Sequence, residues 1–288
     1  MGNLLKSTRL TLEMIKWEHS IFALPFALTG AFLAARGWPR LVVLFWIVVC
    51  MVSARSAAMA FNRLVDARLD AANPRTSGRA LPAGRLTAGF VAGFVVVFAA
   101  IFLAAAAMLN RLALELAPLT LVILLAYSYM KRVTRWSHLV LGLSLGIAPS
   151  AAWIAVRGAL DPRIVVLSAA VLLWVGGFDV LYSCQDFEHD REVALNSVPQ
   201  AFGLKAAFWI ARVMHVGMLC LLLWLVRLFG LGPIATSGVA VVGILLLYEH
   251  SLVSPRDLRR MNAAFFLLNG LISVAFFAFV AADVLLHN

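Results

Sequence analysis

The chain has 288 residues, 63% of them hydrophobic and 13% charged, with a formal net charge of +10. Soluble domains run near roughly half apolar and about a quarter charged residues, so most of this chain must be solvated by lipid. Its basic excess is scattered through short loops instead of forming one stripe, which excludes nucleic acid as a partner, and Cys50, Cys184 and Cys220 stand too far apart for a disulfide framework or a zinc site.

The polar, basic stretch Met1–Lys16 leads into a full-length apolar span, with no short apolar region or small-residue cleavage site, so no removable signal peptide is expected. Nine spans follow: Trp17–Ala35, Leu41–Phe61, Thr87–Leu109, Leu112–Met130, His138–Val156, Ile164–Leu181, Ala206–Val226, Pro233–Tyr248 and Met261–Leu286. The predicted fold is all-α: one polytopic membrane bundle over residues 1–288.

Lys and Arg in short loops stay cytoplasmic. Of the 24, seventeen fall on the N-terminal side of the nine-span arrangement and six on the other, with Arg55 left inside a span. The N-terminus is therefore expected in the cytoplasm, as for a protein of a bacterial inner membrane. The second and sixth spans run into cytoplasmic segments of about two dozen residues, which hold six of the 14 acidic residues. Asp66 and Asp186 are 120 residues apart, as are Asp70 and Asp190, which predicts a duplicated four-helix unit with a ninth helix appended.

Asn62, Asp66 and Asp70 recur every fourth position, and Asp179, Tyr182, Asp186 and Asp190 keep a similar spacing, so a continuing helix would put each set on one face. Such a pair on a soluble helix is usually a solvated face. Two of them at matching span ends, near a bilayer where unpaired charge is costly, call for a cation between them. Oxygen donors suit magnesium, and Arg75, Arg79 and Lys131 are suited to grip phosphate oxygens, although basic residues here also serve topology. The inferred ligand is a magnesium diphosphate. Arg55, two turns before Asn62 on the same span, calls for a ligand carboxylate, the alternative being a structural pairing with Asp66 or a backbone carbonyl.

Asn-x-x-x-Asp-x-x-x-Asp after the second span and Asp-x-x-Tyr-x-x-x-Asp-x-x-x-Asp after the sixth resemble the paired signatures of the UbiA prenyltransferases. The resemblance extends to Arg75–Gly84 and to Tyr127–Arg132, in order, and covers essentially the whole chain. It implies that Asp66, Asp70, Asp186 and Asp190 bind magnesium with help from Asn62, and that Arg75, Arg79 and Lys131 hold the diphosphate of a polyprenyl donor. It further implies an allylic cation attacked by an electron-rich ring, with Tyr127 and Tyr182 offering aromatic faces and Asp179 orienting Tyr182 or taking the ring proton. Arg55 would receive the carboxylate of an aromatic acceptor. The run Lys16–Leu28, with Glu18 and His19 at the membrane boundary, resembles the branch associated with futalosine-route menaquinone synthesis, which puts 1,4-dihydroxy-6-naphthoate ahead of 4-hydroxybenzoate as acceptor. Haem, chlorophyllide and lipid alcohols are other acceptors of the family. A secondary transporter is the competing class, disfavoured because the acidic residues cluster at helix ends and not at mid-depth.

Overall fold

The computed structural model describes residues 10–11, 14–15, 20–259, 261 and 267–287. Lys16–His19 of the N-terminal run and residues 262–266 of the ninth predicted span lie outside them. All its regular structure is helical: α1 (Ser20–Ala35), α2 (Leu41–Val65), α3 (Ala67–Ala72), α4 (Ala88–Leu109), α5 (Arg111–Ala126), α6 (Met130–Val133), α7 (Ser137–Arg157), α8 (Pro162–Ser183), α9 (Phe187–Glu192), α10 (Val198–Phe229), α11 (Pro233–Leu252) and α12 (Asn269–Leu286). Among the described residues, eight helical segments are long and apolar enough to cross a bilayer, and α1 adds a shorter apolar helix. Large apolar side chains such as Phe45, Val96, Trp209, Val213 and Leu247 point outward. Lipid is the only solvent that tolerates such a surface, so this is an integral membrane protein.

Helix α8 is the axis of the bundle. It is apolar on every side, as a helix surrounded by others must be, and it lies between α7 and α10. Its Trp174 is fully buried, 5.0 Å from Phe26 of α1 and 5.1 Å from Phe178, while Phe26 lies 5.7 Å from Phe276 of α12. These rings tie α1, α8 and α12 at one level.

Lipid offers no hydrophobic drive between helices, so close backbone approach has to supply the packing. Gly142 and Gly146, one turn apart on α7, lie against the carbonyls of Leu172 and Ser168 on α8, and Gly30 of α1 lies against the Pro149 carbonyl of α7. Ser150 and Ser168 hydrogen-bond across the same seam at 2.7 Å. A methyl at 142 would meet backbone, which cannot swing away. Gly142→Ala is expected to destabilise the bundle by about 2 kcal/mol, the scale of overpacking, seen as a lower melting temperature in detergent.

Helix ends differ from the predicted boundaries in ways that shape the site. Helix α2 continues four residues past Phe61, so Asn62 is helical, but the chain breaks at Asp66 (φ −93°, ψ 5°) before the six-residue α3. Helix α8 gives way to a single 3-10 turn, Cys184–Asp186, and the chain breaks again at Asp186 (φ −97°, ψ 8°) before the six-residue α9. Both breaks fall in the sparsely allowed region where many active-site residues sit. The one continuous face predicted for each acidic set is thus replaced by a helix end, a break and a short helix. The second loop is also shorter than predicted, because α10 begins at Val198. Ser197 caps it by accepting from the Gln200 N–H, and Gly203, at φ 81°, supplies the kink that separates this first turn from the rest.

Beyond the prediction, Asp283 of α12, buried and 1% exposed, accepts from the backbone N–H groups of Gly232 and Ala235, both at 2.8 Å. This intramembrane carboxylate caps the N-terminus of α11, where the helix dipole favours it.

Candidate active site

The segment after α2 is folded by its own turn chemistry. The Asn73 side-chain Oδ1 accepts from the Arg75 backbone N–H at 2.9 Å, and the Thr76 hydroxyl donates to the Asp70 backbone carbonyl at 3.0 Å. This turn aims Arg75 at the other acidic segment, where its guanidinium forks onto Asp186 with bonds of 2.8 and 2.6 Å. Asn73 donates to the same carboxylate at 3.3 Å. Burial works against the Arg75 charge, but the Asp186 fork outweighs it and holds the guanidinium above its ordinary value.

Each of the other three carboxylates also has a cation. Arg79 donates to both oxygens of Asp70, at 2.6 and 2.7 Å, and the buried Arg63 stands 3.9 Å from it. Arg132 donates to Asp66 at 2.8 Å and to the Val65 carbonyl at 2.9 Å, while Asn62 donates to the other Asp66 oxygen at 2.9 Å. Burial holds the Asp66 carboxyl above the usual carboxylate range, with Arg132 opposing it. Lys131 lies 3.6 Å from Asp190, which is 1% exposed. The Asn196 N–H donates to the Lys131 carbonyl at 2.8 Å, which fastens the second loop to the segment after α5.

Three chain segments therefore meet at one end of the bundle, and they bring together Asn62, Asp66, Asp70, Arg75, Arg79, Lys131, Asp186 and Asp190. Below them opens an apolar cavity of about 510 Å³, whose few polar residues include Arg55, Asn62 and Tyr127. Outward-facing Val52, Leu116, Leu143 and Val165 also line it, so it reaches the lipid-facing surface. Arg55 is in the cavity wall, while Arg132 and Asn62 meet Asp66. Asp179 and Tyr182 are on the last turns of α8; the Arg75 guanidinium stands 5.7 Å from the Tyr182 ring centre, and Asp179 meets His138 at 2.7 Å.

Sequence reasoning missed Arg63, Asn73, Arg132 and His138. Arg132 adjoins Lys131 but reads as one more topological charge, and Asn73 is two residues before Arg75 in a turn-forming run. Only the fold shows which carboxylate each one meets.

The profile of the UbiA prenyltransferase family matches residues 23–271. The chain belongs to that family. UbiA proteins similar to it include the 4-hydroxybenzoate octaprenyltransferases of Vibrio cholerae, 30% identical over 78% of this chain and 79% of that one. Those of Aliivibrio fischeri are 28% identical over 90% of each chain. Among solved structures, a UbiA homologue from Aeropyrum pernix K1 superposes with a TM-score of 0.84 at 35% identity, covering 93% of this chain and 98% of that one. A homologue from Archaeoglobus fulgidus, bound to GPP and Mg2+, shares the fold at a TM-score of 0.70 and 19% identity, over 96% of this chain and 99% of that one. Membership makes this UbiA protein a transferase of prenyl groups.

Proposed function

We propose that the protein moves a polyprenyl chain from its diphosphate onto the ring of a hydroxyaryl carboxylate in quinone biosynthesis, with 4-hydroxybenzoate the first acceptor and 1,4-dihydroxy-6-naphthoate the second. The supporting observation is four carboxylates and their cations gathered at the mouth of an apolar cavity whose wall holds Arg55. The acceptor order reverses the sequence expectation, because the Vibrio and Aliivibrio relatives are 4-hydroxybenzoate enzymes by name.

Magnesium suits the donor set. Asp66, Asp70, Asp186, Asp190 and the Asn62 carbonyl offer hard oxygen ligands only, and no three acidic, His or Cys groups among the described residues converge as a ready-made cage. Magnesium is commonly held by one or two carboxylates plus substrate phosphate, which two separated acidic pairs facing a diphosphate would supply. Once bound, it draws off charge from the departing diphosphate. Arg75, Arg79, Lys131 and Arg132 then exchange carboxylate for phosphate oxygens. The apolar cavity takes the chain and keeps water from the allylic cation, whose charge the faces of Tyr127 and Tyr182 offset. Arg55 holds the acceptor carboxylate, and Asp179 takes the proton that the ring loses.

The same reading has nine crossings, with α1 as the first, in one domain over residues 1–288 of a bacterial inner membrane. The N-terminus and the acidic loops face the cytoplasm, as the charge bias supports. Matched breaks at Asp66 and Asp186 and six-residue helices at Ala67–Ala72 and Phe187–Glu192, all offset by 120 residues, support two four-helix units with one helix added. The test is an assay of purified protein with magnesium and a polyprenyl diphosphate, offering the two acceptors separately. Prenylated 4-hydroxybenzoate is the expected product, and product from neither acceptor overturns the acceptor class. Chelation with EDTA is expected to reduce turnover to background, and added magnesium to restore it.

A further inference from the structure

His138 is the second residue of α7, 1% exposed, and both of its ring nitrogens are engaged. Nε2 lies 3.3 Å from the backbone nitrogen of Val198, the first residue of α10. A backbone N–H only donates, so Nε2 accepts and carries no proton. The ring proton is therefore on Nδ1, which donates to Asp179 Oδ2 at 2.7 Å. The pair is an imidazole N–H donating to a carboxylate oxygen, a bond that fixes the Asp179 rotamer.

A mere strut between α7, α8 and α10 would be closed on all sides. Asp179 is not: its neighbours Val175, Phe178 and Val180 are 3% exposed or less, whereas its own side chain keeps 18% of its surface. With Oδ2 taken by His138, Oδ1 is the oxygen left for other work. Asp179 lies one turn before Tyr182 on α8, and the Arg75 guanidinium stands over the Tyr182 ring at 5.7 Å, so this carboxylate sits one turn below the groups at the diphosphate end. Val198 in turn opens the helix that follows Asp186–Ser197, so the imidazole leans on the end of the very loop that carries the second acidic pair.

We propose that His138 is a positioning residue for prenyl transfer: it fixes the orientation of the Asp179 carboxylate, with Oδ1 presented to the acceptor ring. The inference rests on the aromatic transfer proposed above. In that reaction the C–O bond to diphosphate breaks with its electron pair leaving on diphosphate, and a C–C bond forms between prenyl C1 and a ring carbon. The C–H bond at that carbon then breaks; its electrons restore the aromatic ring and its proton passes to Asp179 Oδ1.

Electrophilic substitution shows no primary isotope effect while loss of the ring proton is fast, and shows one when that step slows. The test uses the full-length protein in detergent with magnesium, a polyprenyl diphosphate and 4-hydroxybenzoate carrying hydrogen or deuterium beside the hydroxyl. His138→Leu is expected to lower kcat on the order of a hundredfold, the scale of general-base contributions, leave the KM for the donor unchanged and reveal a primary isotope effect that the wild type lacks. Asp179→Asn should reveal the same effect. His138→Asn keeps a donor at the Nδ1 position and should recover most of the loss, which a role in packing alone would not predict. Equal losses in the Leu and Asn variants with no isotope effect in either, or no loss in His138→Leu, overturn the proposal. Failure of the wild type to prenylate this acceptor instead overturns the reading on which the proposal rests.

Discussion

Asp70→Ala is expected to cost the protein both turnover and stability, whereas Asp66→Ala, one turn earlier in the same motif, is expected to cost turnover alone. Asp70 is buried between Arg79, whose Nη1 donates to both of its oxygens, and the 7%-exposed Arg63. Its removal leaves two guanidinium groups facing each other with no anion between them. Breaking a buried pair from one side costs about 3–5 kcal/mol, and because Arg79 keeps 28% of its side chain accessible, the low end of that range applies here. Asp66 and its partner Arg132 keep 24% and 35% of their side chains accessible, so water can take over when either is lost. Turnover should nevertheless fall in both by on the order of a thousandfold, the scale of removing a group that stabilises transition-state charge. Asp186→Ala should resemble Asp66→Ala, since Arg75 is 36% accessible. Thermal melts of the three variants in detergent, beside steady-state rates with magnesium and a polyprenyl diphosphate, make the comparison. Equal melting temperatures for Asp70→Ala and Asp66→Ala would overturn the account of Arg63 and Arg79, and near-normal turnover in any of the three would count against the diphosphate site.

The contrast between neighbouring aspartates was not legible in the sequence, although their joint presence was. Spacing identified the acidic sets, because carboxylates at the ends of membrane spans are too expensive to be incidental. It did not reveal the breaks at Asp66 and Asp186, since a four-residue repeat looks the same on a continuous helix as on a helix end followed by a short one. The same limit hid the tertiary partners. Arg132 and Arg63 are two more charges in a basic loop until the fold sets one on Asp66 and the other beside Asp70. His138 opens a span, and its two partners are 41 and 60 residues away. The seam at Gly142 and Gly146 was present as a small-x-x-x-small pattern, but in a chain this rich in glycine and alanine the pattern alone does not say which helices touch. Spacing thus singled out the acidic residues that the fold gathers at one end of the bundle, and not the packing that aims them.

Arg55→Ala is expected to separate the acceptor half of the reaction from the donor half. Arg55 and Asn62 lie on the same helix and both line the cavity, and seven residues put them about 10 Å apart along the axis. That separation leaves room for an aromatic ring between a guanidinium at one end and the diphosphate-binding groups at the other. An ion pair made inside an apolar cavity is a strong hydrogen-bonded contact, and losing it should cost about 2 kcal/mol, roughly thirtyfold in the acceptor KM. The donor KM should not change, because Arg75, Arg79 and Lys131 are untouched. Arg55→Lys keeps the charge but not the planar fork and should fall between the two. An acceptor analogue that keeps the hydroxyl but replaces the carboxylate with a neutral group makes the decisive comparison. The wild type should discriminate strongly against it, and Arg55→Ala should treat it and 4-hydroxybenzoate nearly alike. Undiminished preference for the carboxylate in Arg55→Ala would mean that another cation receives it, and Arg55 would then be a structural residue of the cavity wall.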